Sequence, residues 1–241
     1  MSTTAPKLER SPDADTLAQR VARWLQEQAR RTTDRFSLAL SGGSTPRHLY
    51  EILAEPPYRD SFPWDRTHIF WGDERFVPPD DKLSNVRMAR EALLNHVPIP
   101  PENIHTPPHE GSAEDSAAAY QRTLQQYYGS DTFSPGRPLF DVTLLGLGDN
   151  GHTASLFPDT QSLKENTAWF IAVRENVPQP RLTLTYPAIA ASRCVAFLVA
   201  GANKAAVLKR VLDGDKSLPA SQITASEQLL WFVDAEAGKE V

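Results

Sequence analysis

Short apolar runs alternate with segments of helical periodicity along the whole chain. Several of these runs are apolar at consecutive positions, as expected of strands that helices cover on both faces. Six strands are predicted, over residues 36–40, 67–71, 140–145, 169–173, 194–200 and 229–233. Strands that alternate with helices along a chain usually pair in parallel. The pattern therefore predicts an α/β fold with a mostly parallel sheet.

Helical periodicity is clearest near the N-terminus, where Ser11 is placed to cap a helix and Pro12 suits its first turn. Apolar residues from Leu17 to Ala29 recur on one face of this helix, which we expect to pack on the sheet. Further helices are predicted just after residue 46 and over residues 84–95, 112–128 and 203–212. The alternation continues over the whole length without a sign of a second domain, so we expect a single domain over residues 1–241. No internal repeat of about 20 to 50 residues is present.

Composition narrows the class of protein. Of the 241 residues, 40% are hydrophobic and 23% charged, which is typical of a folded globular chain. A formal net charge of −5 without a long basic block argues against nucleic acid as a partner. No segment approaches the roughly 18 apolar residues of a membrane span, and the N-terminus has no apolar signal region. We therefore expect no membrane partner and a cytoplasmic location.

The first candidate site is the segment Ser-Gly-Gly-Ser-Thr-Pro at residues 41–46, between a predicted strand and a predicted helix. Gly42 and Gly43 allow a tight turn that exposes backbone N–H groups, and Ser44 and Thr45 add hydroxyl groups. The helix dipole points at the same place, so the turn favours an anion, most naturally a phosphate. An ordinary glycine-rich turn that only begins a helix would show the same local pattern.

A second glycine-rich segment, residues 146–158, also follows a predicted strand. Its glycines match the dinucleotide fingerprint G-x-G-x-x-G, but Pro158 would end the following helix after about one turn, which argues against a nicotinamide cofactor. The loop presents Asp149, Asn150 and His152 at a strand end, where open α/β sheets bind ligands. A neutral imidazole can accept a proton from water near pH 7, so His152 is a candidate base. A capping or packing role is the alternative.

Charged residues follow the strand predicted at 67–71. Either Asp73 orients Arg75 toward an anion, or the two form a solvated rim. Arg181 is a further candidate cation, and Lys204 stands at a predicted helix start, where its positive charge opposes the helix dipole. An anionic ligand would offset that charge, and simple solvation is the alternative.

The sequence lacks the common motifs of serine hydrolases and of metal-dependent enzymes. It contains no G-x-S-x-G serine motif, no His-Glu-x-x-His motif, and no paired cysteines or close histidine cluster with metal-ligand spacing. A phosphate-binding turn, one histidine and several cations indicate chemistry by activated water, without a metal or an organic cofactor.

Together these segments resemble the 6-phosphogluconolactonase family, within the wider glucosamine-6-phosphate isomerase/deaminase-like superfamily. The matching segments are residues 41–46, 71–78, 84–85, 146–158, 181–185 and 201–204. The resemblance spans nearly the whole chain and implies a Rossmann-like three-layer α/β/α fold. It also implies hydrolysis of a small phosphosugar lactone, 6-phospho-D-glucono-1,5-lactone, to 6-phosphogluconate in the oxidative pentose phosphate pathway, with no metal or cofactor.

Roles for individual residues also follow from the resemblance. The residues that correspond to the family's phosphate site are Gly42, Gly43, Ser44, Thr45, Arg181 and Lys204. His152 corresponds to the base, and Asp73 and Arg75 to a pair at the lactone end, with Asp73 holding Arg75 in place. In this hypothesis His152 takes a proton from the water that attacks C1, and Arg75 or nearby N–H groups stabilise the oxyanion.

One position departs from the family pattern. Family members usually have Asp-Gly-His where this chain has Asn150, Gly151 and His152. An asparagine cannot stabilise an imidazolium as a carboxylate does. Either Asp149 takes over that role, or Asn150 serves only to bind and orient.

Two other functions are considered. A glucosamine-6-phosphate deaminase or isomerase would share the fold and the phosphate site, but residues 153–158 are lactonase-like, whereas that branch typically continues with an Ile-Ala-Phe-Asn-Glu-Pro-like segment. A non-catalytic sugar-phosphate sensor is usually fused to a DNA-binding helix-turn-helix, for which residues 1–35 are too few and not basic enough. We expect a monomer or a weak homodimer.

Overall fold

The computed structural model describes residues 6–241, so the expectation about the N-terminal signal region falls partly outside the described chain. The strands are β1 (Lys7–Ser11), β2 (Phe36–Leu40), β3 (Thr67–Trp71), β4 (Asp73–Arg75), β5 (Val142–Leu145), β6 (Phe170–Val173), β7 (Arg181–Leu184), β8 (Cys194–Val199) and β9 (Gln228–Asp234). The α-helices are α1 (Ala14–Arg31), α2 (Ser44–Leu53), α3 (Tyr58–Ser61), α4 (Asn85–Ala89), α5 (Ala113–Tyr128), α6 (Tyr186–Ala190) and α7 (Ala205–Leu212).

Six strands form the main sheet, in the order β1-β9-β8-β5-β2-β3, and every pairing in it is parallel. Alternate residues of β8 face two different cores: Cys194, Ala196 and Leu198 pack in the cluster that includes α1 and α2. Their neighbours Val195 and Phe197 pack with α5 and α7 on the other side. Helices therefore cover both faces of the sheet, and the predicted α/β fold with a mostly parallel sheet is confirmed.

A second, antiparallel sheet was not predicted. It has three strands in the order β4-β7-β6, and the strand predicted at 169–173 lies in it as β6. Gly72 joins the two sheets, since its N–H donates to Leu40 O at 2.8 Å and its carbonyl accepts from Leu184 N at 2.8 Å. β4 is too short to show a periodicity, which is why the sequence pattern did not reveal the sheet that β4 begins.

The structure corrects two further expectations. Ser11 does not cap α1: it ends β1, which pairs with β9, and the cap is Asp13, whose carboxylate accepts from Thr16 N at 2.7 Å. β1 contains a single aliphatic side chain among charged ones, so its pattern did not predict a strand. The segment after His152 forms turns and an isolated bridge from Thr153 to Leu156 instead of a short helix.

Within residues 6–241, no helix is long and apolar enough to cross a membrane. The described residues also contain no group of three or more His, Cys, Asp or Glu side chains placed to hold a metal ion.

The turn at residues 41–46 is tied to the helix that follows it. The hydroxyl group of the buried Tyr50, on α2, accepts from Ser41 N at 3.0 Å and donates to Ser41 O at 2.8 Å. One side chain thus satisfies both backbone groups of the residue that begins the turn.

Tyr50→Phe should therefore leave the N–H and the carbonyl of buried Ser41 without partners, and we expect it to destabilise the fold by about 1–3 kcal/mol. The free energy of unfolding from denaturant titration measures the effect. Tyr58→Phe is the control, because no hydrogen bond of the Tyr58 hydroxyl group is found within the described chain. Equal stability of the two variants would contradict the expected role of Tyr50.

Candidate functional site

Four neighbouring strands of the main sheet, β8, β5, β2 and β3, end at the same edge because they pair in parallel. The segments that follow them contain all three candidate motifs, and they enclose a cleft of about 250 Å³. The predicted residues that line it are Gly42, Gly43, Asp73, Arg75, His152, Arg181 and Lys204. The cleft lies at the carboxyl ends of the strands, where open α/β sheets bind ligands.

Three predicted residues lie beside this cleft rather than in its wall. Ser44 and Thr45 begin α2 directly after Gly43, so their N–H groups belong to the first turn of the helix. Asn150 lines a neighbouring hollow of about 500 Å³, which also contacts His152 and Asn176. The sequence motifs therefore meet at one place in the fold.

The glycine-rich turn leaves the N-terminus of α2 open to a ligand. Gly43 precedes the helix with a φ of 103°, a conformation that favours glycine. In the described chain no side chain caps this helix. The N–H groups of its first turn therefore have no intrahelical acceptor, and they suit an anion.

Two arginines from the small sheet face each other across the cleft's edge. Arg75 on β4 pairs in register with Arg181 on β7, and like charges placed opposite one another on adjacent strands repel. Within residues 6–241 the buried Nε atoms of both side chains have no hydrogen-bond partner. Burial lowers the pKa of Arg181, and the positive charge of Arg75 lowers it further. An anion bound between the two guanidinium groups would relieve this repulsion.

Lys204 is the third cation of the cleft. Its ammonium group forms an ion pair with the carboxylate of Asp149, which also accepts from Asn203 Nδ2 at 3.1 Å. The Lys204 side chain is 21% exposed and that of Asp149 is 73% exposed, so the pair lies at the mouth of the cleft. Asp149 is thus engaged with Lys204, and no hydrogen bond joins its side chain to His152 in the described residues.

The predicted contact between Asp73 and Arg75 is not formed. Within residues 6–241 no hydrogen bond or ion pair joins these two side chains. The buried carboxylate of Asp73 accepts instead from Ser155 Oγ at 2.8 Å, and the guanidinium group of Arg75 donates to Leu83 O at 2.6 Å. Ser155 and Leu83 belong to different loops, so the two side chains are held by separate contacts.

His152 is held in one orientation by Asn150. The amide oxygen Oδ1 of Asn150 lies 2.6 Å from His152 Nδ1 and 3.2 Å from the backbone nitrogen of the same residue. Because a backbone N–H can only donate, the atom facing it is the amide oxygen, and Nδ1 must then be protonated as well. In the neutral imidazole the other nitrogen, Nε2, therefore has a free lone pair. Of the two alternatives for Asn150, the contact favours the one in which it orients His152.

The imidazole ring lies directly against the backbone of the loop. A Cβ atom at Gly148 would lie 2.0 Å from His152 Nδ1, so only glycine leaves room for the ring. Burial lowers the pKa of His152 below its ordinary value of 6.5, and the charges of Arg181 and Lys204 lower it further, whereas Asp73 and Asp149 raise it. The ring is therefore mainly neutral at pH 7, the form that accepts a proton.

Two polar residues of the site were not singled out from the sequence. Asn85 is buried, lines the cleft, and donates from Nδ2 to Asp73 O at 2.9 Å. Its side chain lies so close to Gly42 that a Cβ atom there would be 2.1 Å from Asn85 Oδ1. Ser155, three residues after His152, orients Asp73 through its hydroxyl group. Asn85 and Ser155 lie within the segments that resemble the family, but nothing in the local sequence indicates their contacts.

Comparison with known proteins gives concordant results. The family model "Glucosamine-6-phosphate isomerases/6-phosphogluconolactonase" matches residues 12–231. The chain is 47% identical over 212 residues to 6-phosphogluconolactonase of Nostoc sp., covering 86% of this chain and 85% of that protein. It is 43% identical over 209 residues to 6-phosphogluconolactonase of Synechocystis sp., covering 85% and 84%.

Solved structures are similar over almost the full length. The structure of 6-phosphogluconolactonase from Thermotoga maritima superposes with a TM-score of 0.81 at 30% identity, covering 95% of this chain and 99% of that one. That of 6-phosphogluconolactonase from Trypanosoma brucei superposes with a TM-score of 0.83 at 28% identity and covers 100% of both chains.

The contact between Asn150 and His152 predicts the effect of restoring a carboxylate. Asn150→Asp places a negative charge against Nδ1–H, which favours the imidazolium, so we expect the pKa of His152 to rise by about one pH unit. An NMR titration of the imidazole nitrogens measures it. Asn176→Asp is the matched control, since it adds the same charge to the same hollow without a hydrogen bond to His152. An equal pKa in both variants would show that the contact does not control the ring.

Proposed function

The chain belongs to the family of glucosamine-6-phosphate isomerases and 6-phosphogluconolactonases, as its motifs predicted, and we propose that it hydrolyses 6-phospho-D-glucono-1,5-lactone to 6-phospho-D-gluconate. The lactonase branch is supported by relatives of that name at 43–47% identity. The observation that supports the chemistry best is a neutral histidine with a free Nε2 lone pair beside a cleft that contains three cations.

The 6-phosphate group binds at the glycine-rich turn in this proposal. The N–H groups of residues 42–45 and the dipole of α2 attract the anion, and Arg181 and Lys204 supply positive charge on the other side. Lys204 has three donors, and Asp149 takes only one of them, so the ammonium group can bind Asp149 and a phosphate oxygen together. Binding the phosphate fixes the lactone ring relative to His152.

His152 acts first as a base and then as an acid. Nε2 takes a proton from the water that attacks C1, and the guanidinium group of Arg75 stabilises the negative charge that develops on the carbonyl oxygen. When the tetrahedral intermediate collapses, the bond between C1 and the ring oxygen breaks. The protonated Nε2 then returns its proton to that oxygen. The ring opens to a hydroxyl group and a carboxylic acid, which ionises in water.

In most of the family one carboxylate is expected both to orient the histidine and to stabilise its positive charge. In this chain Asn150 and Asp73 share these two roles. Asn150 orients the ring and keeps Nδ1 protonated, but it contributes no charge. The negative charge of Asp73 raises the pKa of His152 and so favours the imidazolium that forms during the reaction. No metal or organic cofactor takes part in this scheme, because the imidazole supplies the base and Arg75 the charge.

The proposal predicts that the protein accelerates the decay of freshly prepared 6-phosphogluconolactone, followed by coupling to 6-phosphogluconate dehydrogenase in metal-chelating buffer. His152→Ala should lower kcat/KM on the order of 10²–10⁴-fold, because the base is lost. His96→Ala is the control, since His96 is exposed and its side chain hydrogen-bonds only to Glu91 O in the described chain. Wild-type protein that leaves the spontaneous rate unchanged would refute the proposal and direct testing to glucosamine 6-phosphate.

The phosphate site is tested separately with inorganic phosphate as a competitive inhibitor. Lys204→Met should weaken phosphate inhibition and raise KM about tenfold, with a smaller effect on kcat, because a charge-assisted hydrogen bond to the substrate is lost. Lys209→Met removes an equal charge from the exposed side of α7, where Lys209 pairs with Asp213, and serves as the control. Unchanged phosphate inhibition in Lys204→Met would place the phosphate elsewhere.

A further inference from the structure

Glu74 stands between the two predicted site residues of β4, yet it does not line the cleft. Neighbouring residues on a strand point to opposite faces, so Glu74 points away from the side that Asp73 and Arg75 share. Its side chain is completely buried, with an exposure of 0%. A buried carboxylate is costly unless its oxygens are satisfied, so its contacts define its role.

Four donors surround this carboxylate. Oε1 accepts from the backbone N–H groups of Arg75 and Asn85, both at 2.7 Å. Oε2 accepts from Val86 N at 2.7 Å and from Ser84 Oγ at 2.9 Å. Within residues 6–241 no cation forms an ion pair with Glu74. The hydrogen bonds therefore tie β4 to the turn at residues 84–86, which consists of the N-cap and the first two residues of α4. The negative charge stays uncompensated by direct contact with a cation.

The tied turn contacts the cleft through its other groups. The carbonyl of Leu83, directly before it, accepts from the guanidinium group of Arg75 at 2.6 Å. Asn85, within it, lines the cleft and packs against Gly42. Any displacement of this turn therefore moves both the acceptor that aims Arg75 and a side chain in the cleft wall.

Glu74 also balances charge in the small sheet. Arg75 and Arg181 lie opposite each other, and the negative charges of Asp73 and Glu74 oppose the effect of Arg75 by raising the pKa of Arg181. A neutral residue of the same shape could accept hydrogen bonds from fewer of the four donors. It would also leave less negative charge near the two guanidinium groups. A contribution to stability alone does not require an ionised group here, because well-packed apolar residues often replace buried charges without loss.

We propose that Glu74 is a positioning residue of the catalytic site: its buried carboxylate holds the turn at residues 84–86 so that Leu83 O and Asn85 place Arg75 for the reaction. The inference rests on the proposed lactonase function, because Arg75 is assigned there to the developing oxyanion. It concerns the transition state, so the effect falls on kcat rather than on phosphate affinity.

The sharpest variant is Glu74→Gln. In the wild type, each carboxylate oxygen of Glu74 accepts hydrogen bonds from two donors. Glutamine has only one oxygen that can accept, and its NH₂ group, itself a donor, would face the other two donors. Glu74→Gln keeps the shape of the side chain but loosens the turn at residues 84–86. We expect kcat for the lactone to fall about 100-fold, because a small misplacement of a catalytic group has an effect of that size. Inhibition by inorganic phosphate should change less than about twofold. Glu74→Asp keeps the charge, and we expect it to recover part of kcat.

The matched control is Asp141→Asn, which alters another buried carboxylate. Asp141 accepts from the N–H and hydroxyl groups of Ser37 and pairs with Arg193, at the end of β5 away from the cleft. It should lower stability while kcat, measured well below the unfolding temperature, stays within about twofold of the wild type. If Glu74→Gln does not fold, Ser84→Ala removes one of the four donors to Glu74, together with the N-cap of α4, and should lower kcat in the same direction, by a smaller factor.

The outcomes separate the two proposals. Wild-type protein without lactonase activity overturns the proposed function and the role of Glu74 with it. An active wild type together with an unchanged kcat in Glu74→Gln, or in Ser84→Ala if the first variant does not fold, overturns the role of Glu74 alone. If kcat falls equally in Glu74→Gln and in Asp141→Asn, Glu74 contributes only to stability, and its positioning role is overturned.

Discussion

Parallel pairing of β3, β2, β5 and β8 is the constraint on which the site depends. Strands paired in this way must all end at one edge of the sheet, so the segments that follow them are brought together however far apart they lie in the chain. The glycine-rich turn at residues 41–46, the loop at 146–158 and Lys204 meet for this reason. The small antiparallel sheet completes the cleft by adding Arg75 and Arg181 from strands that the main sheet does not contain.

The charged side chains that line the cleft are mainly positive. Among residues 6–241, three cations line it, and two of them, Arg75 and Arg181, lie opposite each other with Nε atoms that have no hydrogen-bond partner there. The acidic groups are placed to moderate this charge: Asp149 pairs with Lys204 at the mouth, and Asp73 is held by Ser155. The same positive surroundings and the burial of the ring keep His152 neutral. In the proposed function, the positive charge that attracts the substrate's phosphate thus also keeps His152 in the basic form.

The orientation of His152 explains how asparagine is accommodated at position 150. An amide oxygen can accept the same hydrogen bond from Nδ1–H as a carboxylate oxygen, and the second contact, from the backbone N–H of His152, fixes which way the amide points. What asparagine lacks is charge, and Asp73 on another strand supplies some of it. The consequence of this substitution could not be inferred from residues 149–152, because Asp73 approaches His152 only in the folded chain.

The hydrophobic pattern determined most of the scaffold, because β2, β3, β5 and β8 are mostly apolar, as expected of strands that helices cover on both faces. The motifs likewise indicated which segments enclose the cleft, although each motif alone also fits an ordinary turn or a solvated rim. Tertiary structure alone decided the rest. β1 and β4 are too short or too polar to show a periodicity. Asp73 is held by Ser155, 82 residues along the chain, whereas Arg75 and Glu74 bind residues 83–86. Such hydrogen bonds depend on the folded backbone and leave no periodic pattern in the sequence.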